Sequence, residues 1–222
     1  MIKKKKIIAI IPAKGISRRL KNKNTLKIKN KTLIEHTFNS ARKSKYIDQI
    51  IVSTESKKIK KMSEKIGIKV PFLRPKSLSH NNTKSDKVVI HALKKINQKF
   101  NYIVLLQPTS PLRNTKDIDN SINKIFKNKL STLVSVYRSN KKQKNLVKIE
   151  KLKYVKRNWK KYKKKNNYFL NGAIYISRID YFMRFKNFFS QKTGYHIMPE
   201  KRSIDIDYYD EFLKAKKILN EY

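Results

Sequence analysis

Ile7-Ile8-Ala9-Ile10-Ile11 is an unbroken apolar run, largely β-branched, closed by Pro12, in a chain where 32% of the residues are charged. A run of this kind suits a strand buried on both faces, as in a parallel sheet, better than a hairpin strand with one wet face. Similar runs recur at Ile50-Ile51-Val52-Ser53, Ile103-Val104-Leu105-Leu106, Leu133-Val134-Ser135-Val136 and Ala173-Ile174-Tyr175-Ile176. Helical spacing lies between several of them. Leu33, His36, Thr37 and Ala41 share a face over 32–44, a second helix is predicted over 56–66 and ends at Gly67, and a third over 85–98 turns Val88, Val89, Ala92, Leu93 and Ile96 inward. The alternation predicts an α/β fold, a mainly parallel sheet flanked by helices, with the first run as its central strand.

With 222 residues the chain is expected to form one domain, 1–222. The stretch from Arg138 to Tyr168 breaks the pattern, being rich in lysine and asparagine around Leu146, Val147, Ile149, Tyr154, Val155 and Trp159. That much apolar material favours an arm or lid over a solvated loop, so 138–170 is read as an excursion for dimer contact or substrate cover. There is no cysteine, and His36, His80, His91 and His196 do not make a zinc-ligand spacing. No apolar run is long enough for an export signal or a membrane span, so a reducing cytoplasm is the expected location.

The net charge is +41, from 56 basic and 15 acidic side chains. Nucleic acid would need that charge gathered in a patch, whereas these lysines are spread over almost every segment beside abundant asparagine and isoleucine. The expectation is a compositionally biased surface with no specific nucleic-acid partner. A basic nucleic-acid-binding protein is the alternative from another class.

Three segments carry chemistry. After the first strand, Pro12-Ala13-Lys14-Gly15-Ile16-Ser17-Arg18-Arg19-Leu20-Lys21-Asn22-Lys23-Asn24 sets a glycine, a hydroxyl and five cations where open α/β sheets bind ligands. It matches neither a Walker A loop nor the three-glycine dinucleotide fingerprint, and reads as a polyphosphate cradle or a solvated basic loop. In Leu105-Leu106-Gln107-Pro108-Thr109-Ser110-Pro111-Leu112-Arg113, two prolines stiffen a turn that either aims Gln107, Ser110 and Arg113 at a ligand or simply ends a strand. In Arg202-Ser203-Ile204-Asp205-Ile206-Asp207, extended backbone puts both carboxylates on one face and both isoleucines toward the core. Two hard oxygen ligands on one face suit Mg²⁺; the other readings are salt bridges to lysine, or Asp207 as the cap of a helix beginning near Tyr208.

Taken together the chain resembles the acylneuraminate cytidylyltransferases, which activate sialic-type nine-carbon sugar acids. The stretches that carry the resemblance are Ile10-Ile11-Pro12-Ala13 with Asn22-Lys23-Asn24, Val52-Ser53-Thr54, Phe72-Leu73-Arg74-Pro75, Leu105 to Arg113, Asn171-Gly172-Ala173-Ile174-Tyr175-Ile176 and Ile204-Asp205-Ile206-Asp207. The resemblance implies a nucleotide-diphospho-sugar transferase (GT-A-like) fold with a small inserted arm, and a Mg²⁺-dependent reaction of CTP with the anomeric hydroxyl of a nonulosonic acid, releasing pyrophosphate. By position, Lys14, Ser17, Arg18, Lys23, Asn24, Arg74 and Ser85 would hold the nucleotide, Gln107 and Asn171 the sugar acid, and Asp205 and Asp207 the metal, with Lys14, Lys23 and Asp207 as the catalytic groups. A homodimer is implied too. The runner-up within the class is a 3-deoxy-manno-octulosonate cytidylyltransferase. Departures from the family pattern are Lys14 for arginine, Ile16 for a small residue, Lys21 for proline and Glu55 for aspartate.

Overall fold

The computed structural model describes residues 5–80, 82–141, 145–150, 154–156 and 167–221. Its main sheet contains β1 (Ile7–Pro12), β4 (Gln49–Ser53), β5 (Tyr102–Leu105), β6 (Thr132–Ser139), β9 (Asn167–Arg178) and β10 (Gly194–Ile197), in the order β10-β6-β9-β5-β1-β4. β1 lies parallel to β4 and β5, and β10 parallel to β6, while β9 runs antiparallel between β5 and β6. A two-stranded ribbon of β2 (Lys27–Ile28) and β3 (Lys31–Thr32) stands apart.

The β1 run is buried on both faces, as its composition predicts. Ile7, Ala9 and Ile11 pack on one side with Ile34 and Ala41 of α1 (Leu33–Arg42), Ile59 of α2 (Lys57–Lys65) and Ile118, Ile122 and Ile125 of α4 (Thr115–Lys127). Ile8 and Ile10 pack on the other with Val89 and Ala92 of α3 (Ser85–Lys95) and Phe182 of α5 (Ile179–Phe185). Each buried isoleucine contributes roughly 1.5–3 kcal/mol over leaving it exposed.

The three predicted helices are α1, α2 and α3. α1 starts on a capping box between Thr32 and Glu35, and α2 starts on the Ser56 hydroxyl and stops before Gly67, at φ +81°. The expectation of a central first strand is corrected: β1 is second from the β4 end of the order. Helices cover both faces of the sheet at β1 although it is not central, so a β-branched run reports burial and not lateral rank.

The 138–170 excursion is in part an extension of the sheet. β7 (Leu146–Glu150) pairs with β9 and with β8 (Tyr154–Lys156), and Val147 and Val155 are buried against Val134, Val136 and Tyr195. Its apolar residues thus pack on their own sheet, while Trp159 lies outside the described residues. α6 (Tyr209–Asn220) covers a further cluster through Phe212 and Ala215, against Ile28, Leu33, Leu112 and Ile206. Among the described residues no helix is long and apolar enough to cross a membrane.

Candidate active site

A cleft opens where β1 and β5 end, lined by Pro12, Lys14, Lys23, Asn24, Arg74, Ser79, His80, Ser85, Gln107 and Thr109 among others. Parallel neighbouring strands deliver their exit loops to the same edge, so positions nearly a hundred residues apart meet there. Of the residues predicted for the nucleotide, Lys14, Lys23, Asn24, Arg74 and Ser85 line it. Ser17 is buried in the basic loop, its hydroxyl unpartnered among the described residues, and Arg18 is exposed; neither lines the cleft.

The basic loop is held from within. Asn22 takes the left-handed conformation at φ 55°, a short 3₁₀ turn follows over Lys23–Thr25, and the buried Asn24 donates its amide to the Lys14 carbonyl at 2.8 Å. Asn24 therefore folds the loop back on itself and carries Lys14 to Lys23. Burial, then the charges of Lys23 and Arg19, pull the Lys14 ammonium below the usual lysine range. Crowded, partly desolvated cations are the state an anion would relieve.

Arg74 is fixed by Glu55, whose carboxylate accepts from Nη2 of Arg74 at 2.9 Å, the Ser79 hydroxyl at 2.9 Å and the backbone N–H of Gly15 at 2.6 Å. Glu55 stays below the ordinary glutamate range although its burial pushes upward, because these donors and the Arg74 charge outweigh that push. From the sequence Glu55 is only a substitution of one acid for another. The signal that it joins three segments is tertiary.

The two aspartates do not line the cleft but stand against residues that do, Asp207 on Lys23 and Asp205 on Thr109. The Ile206 N–H bonds the Thr109 carbonyl at 2.8 Å and Ile206 is fully buried, which seats the segment against the Gln107–Arg113 turn. Asp207 pairs with Lys23 at 2.8 Å and Arg19 at 2.7 Å. Glu211, rather than Asp207, caps α6, accepting from the N–H groups of Asp207 and Tyr208 at 2.6 and 2.7 Å. The Asp205 carboxyl is pushed up chiefly by burial, then by Asp207, against the opposing pull of the Thr109 hydroxyl and Lys23. Arg202 anchors the same segment, its guanidinium paired through both terminal nitrogens with the buried Asp117, which also meets His196 at 3.3 Å. Among the described residues no group of three or more His, Cys, Asp or Glu could hold a metal. A cation at Asp205 and Asp207 would thus need phosphate and water oxygens to complete its shell, the habit of Mg²⁺.

Only part of the proline-bracketed turn faces the cleft. Gln107 lines the cleft, whereas Ser110 and Arg113 point inward. Ser110 reaches the Asn171 carbonyl at 3.5 Å; Arg113 donates to the Ala173 carbonyl at 2.9 Å, and burial pulls its guanidinium down to about 9. The turn is rigid because an arginine is built into its base. Asn171 is likewise spent internally: its oxygen accepts from the Ser135 hydroxyl at 2.6 Å, and its amide donates to Ser203 at 3.0 Å. It ties β9 and β6 to the segment bearing Asp205. Next to it, Gly172 sits at φ +72°, where a Cβ would lie 3.1 Å from Oε1 of Gln107 and 3.2 Å from Oδ2 of Asp205.

A second compartment shares Ser85 and Gln107 with the first and is walled by Leu105, Leu170, Tyr175, Phe185, Phe188 and Phe189, with Lys84, Asp86, Lys186 and Asn187 as polar groups. Sequence reasoning missed this aromatic wall, since phenylalanines after a strand read as core until the fold shows a cavity beside them.

A cytidylyltransferase family model matches residues 8–220. The chain is 34% identical over 209 residues to an N-acylneuraminate cytidylyltransferase of Escherichia coli, a match covering 91% of this chain and 49% of that protein. It is also 34% identical over 228 residues to the CMP-N,N'-diacetyllegionaminic acid synthase of Legionella pneumophila, covering 96% of both. The chain thus spans about half the length of the first relative and nearly all of the second. A solved CMP:2-keto-3-deoxy-manno-octonic acid synthetase complexed with CTP superposes with a TM-score of 0.80 at 13% identity, over 97% of this chain and 99% of that one, which shows a shared fold.

Proposed function

This chain belongs to the cytidylyltransferase family, and from that premise we propose that it transfers CMP from CTP to the anomeric hydroxyl of a sialic-type nonulosonic acid, releasing pyrophosphate. The observation that carries the reading is a cleft lined by two lysines and a guanidinium, with Asp207 paired to one of those lysines, beside an adjoining aromatic compartment. In this transfer the anomeric oxygen bonds to the α-phosphorus as the α–β bridging bond breaks. The bonding pair leaves on pyrophosphate, and the hydroxyl proton passes to a base. Such a transfer depends on positioning and charge neutralisation.

Lys14 and Lys23 supply positive charge to the triphosphate. Asn24 keeps the loop folded so that the two act together, and Arg74 and Ser85 orient the nucleotide. Gln107 stands at the junction of the two compartments, suited to bond the sugar acid where it meets the nucleotide. The walls formed by Tyr175, Phe188 and Phe189 give the sugar's acyl and carbon-chain substituents an apolar seat and keep water from competing as acceptor. Asp205 and Asp207 would hold Mg²⁺, which when bound neutralises phosphate charge. A homodimer and a cytoplasmic location belong to the same reading.

The test is pyrophosphate release from CTP with N-acetylneuraminate, legionaminate, pseudaminate and 3-deoxy-manno-octulosonate offered separately, with and without Mg²⁺, beside an Asp207→Asn control. Turnover with a nonulosonic acid, lost without Mg²⁺ and in the variant, is expected. Turnover with the octulosonate alone would move the acceptor to the eight-carbon acid. Salt-sensitive RNA retention with no turnover would favour the nucleic-acid alternative.

A further inference from the structure

Glu55 does not line the cleft, yet it holds two of the elements that do. It stands two residues beyond β4 and receives donors from three separate stretches of chain: Gly15 in the basic loop, Arg74 in the segment beside β4, and Ser79 at the end of the 3₁₀ turn over Lys76–Leu78. The arrangement is closed, since Nε of Arg74 also donates to the Ser79 hydroxyl at 3.0 Å. Oε1 serves Gly15, while Oε2 serves both Arg74 and Ser79. The backbone at Gly15 comes so close that an added Cβ would stand 2.8 Å from Cβ of Ser56 and 3.3 Å from Oε1 of Glu55.

A carboxylate behind a polyphosphate site should weaken it by repelling the ligand. Here its charge is matched by Arg74, a residue only 4% exposed, so the cost is small and the gain is geometric. Nε and one hydrogen of Nη2 are committed to Ser79 and Glu55, and the remaining terminal N–H groups of the guanidinium are the donors it can offer a ligand. We propose that Glu55 is a positioning residue for the nucleotide: it fixes the spacing between the Lys14-bearing loop and the Arg74 guanidinium, so that both sides of the cleft reach one CTP together. This rests on the cytidylyltransferase reading of the cleft.

Glu55→Gln tests it. Whichever way the amide turns, an NH₂ group faces either the Gly15 N–H or the Arg74 and Ser79 donors, so at least one arm of the clamp is lost. The expected result is a rise of about tenfold in the KM for CTP and in its Kd by calorimetry, the worth of one charge-assisted hydrogen bond, with the KM for the sugar acid within twofold of wild type. A purely structural role would lower the fraction of active protein, and so kcat, leaving the KM for CTP unmoved; that result overturns the inference. Should Glu55→Gln fail to unfold cooperatively, Ser79→Ala carries the test, because it removes one arm and keeps the charge pair. A threefold loss of CTP affinity is then expected, and unchanged affinity refutes the clamp. Wild-type protein that binds no CTP would take down the reading of the cleft and this inference with it, whereas wild-type binding with an unaltered Glu55→Gln variant takes down the inference alone.

Discussion

Replacing Asp117 by Asn should remove the anchor of the segment that carries Asp205 and Asp207, and its size can be worked from the structure. The Asp117 side chain is 6% exposed and paired with Arg202 and His196, and bonds to its carboxylate hold it down to about 2, from an ordinary 3.8. That difference corresponds to about 2 kcal/mol of native-state stability. The pKa is depressed on folding, so this contribution is complete above the unfolded value near 3.8 and is lost as pH falls through about 2; roughly half should be gone at pH 3. Urea unfolding of wild type and Asp117→Asn at pH 7, 5, 4 and 3 is the assay. The wild type should exceed the variant by about 2–4 kcal/mol at pH 7, the upper part coming from the guanidinium left unpaired, and the gap should narrow toward pH 3 as Asp117 itself protonates. A gap below about 0.5 kcal/mol at pH 7, or one that keeps its size down to pH 3, would refute the reasoning.

Gly172→Ala should cost about 1–2 kcal/mol in thermal unfolding from the positive φ, and should reduce turnover by more than that loss explains, because the new Cβ presses on Gln107 and Asp205; wild-type turnover in the variant would contradict the packing. Lys14 has a lowered pKa, so CTP affinity should be full below that value and fall as pH rises through it, with protons taken up on binding; calorimetry at pH 7 and 9.5 in buffers of different ionisation enthalpy reads both, and no uptake would count against a Lys14–phosphate contact. Arg19→Ala should change stability by less than about 0.5 kcal/mol, its pair with Asp207 being half exposed, whereas Lys23→Ala, much more enclosed at 12% exposure, should weaken CTP binding severalfold; equal effects on binding would deny Lys23 its place at the phosphates. Asn171→Ala should lose about 1–3 kcal/mol of stability from its emptied hydrogen-bond set, and unfolding midpoints equal to wild type would contradict its place in the core.

Much of this protein was legible in local stretches of its chain. The run at Ile7–Ile11 could only be a strand covered on both sides, because no arrangement with one wet face tolerates five consecutive apolar residues at period two. From it follow a sheet with helices on both faces and a ligand edge at the strand exits, where Lys14, Lys23, Asn24 and Gln107 line the cleft. Local chemistry also fixed the helix limits, through Thr32 with Glu35 and through Gly67. The rank of β1 in the sheet, the antiparallel insertion of β9 and the return of β7 and β8 onto it were decided by strand pairing between distant segments, which leaves no mark in a local window. The same limit governs the site. Gln107, Ser110 and Arg113 look alike as polar groups in one stiff turn, and only packing shows that the first faces the cleft while the other two serve as its footing. Glu55 and Asp117 take their roles from partners 19 to 85 residues away, the aromatic wall from separate segments of the chain, and a side chain's environment, unlike its backbone preference, exists only once those partners have met.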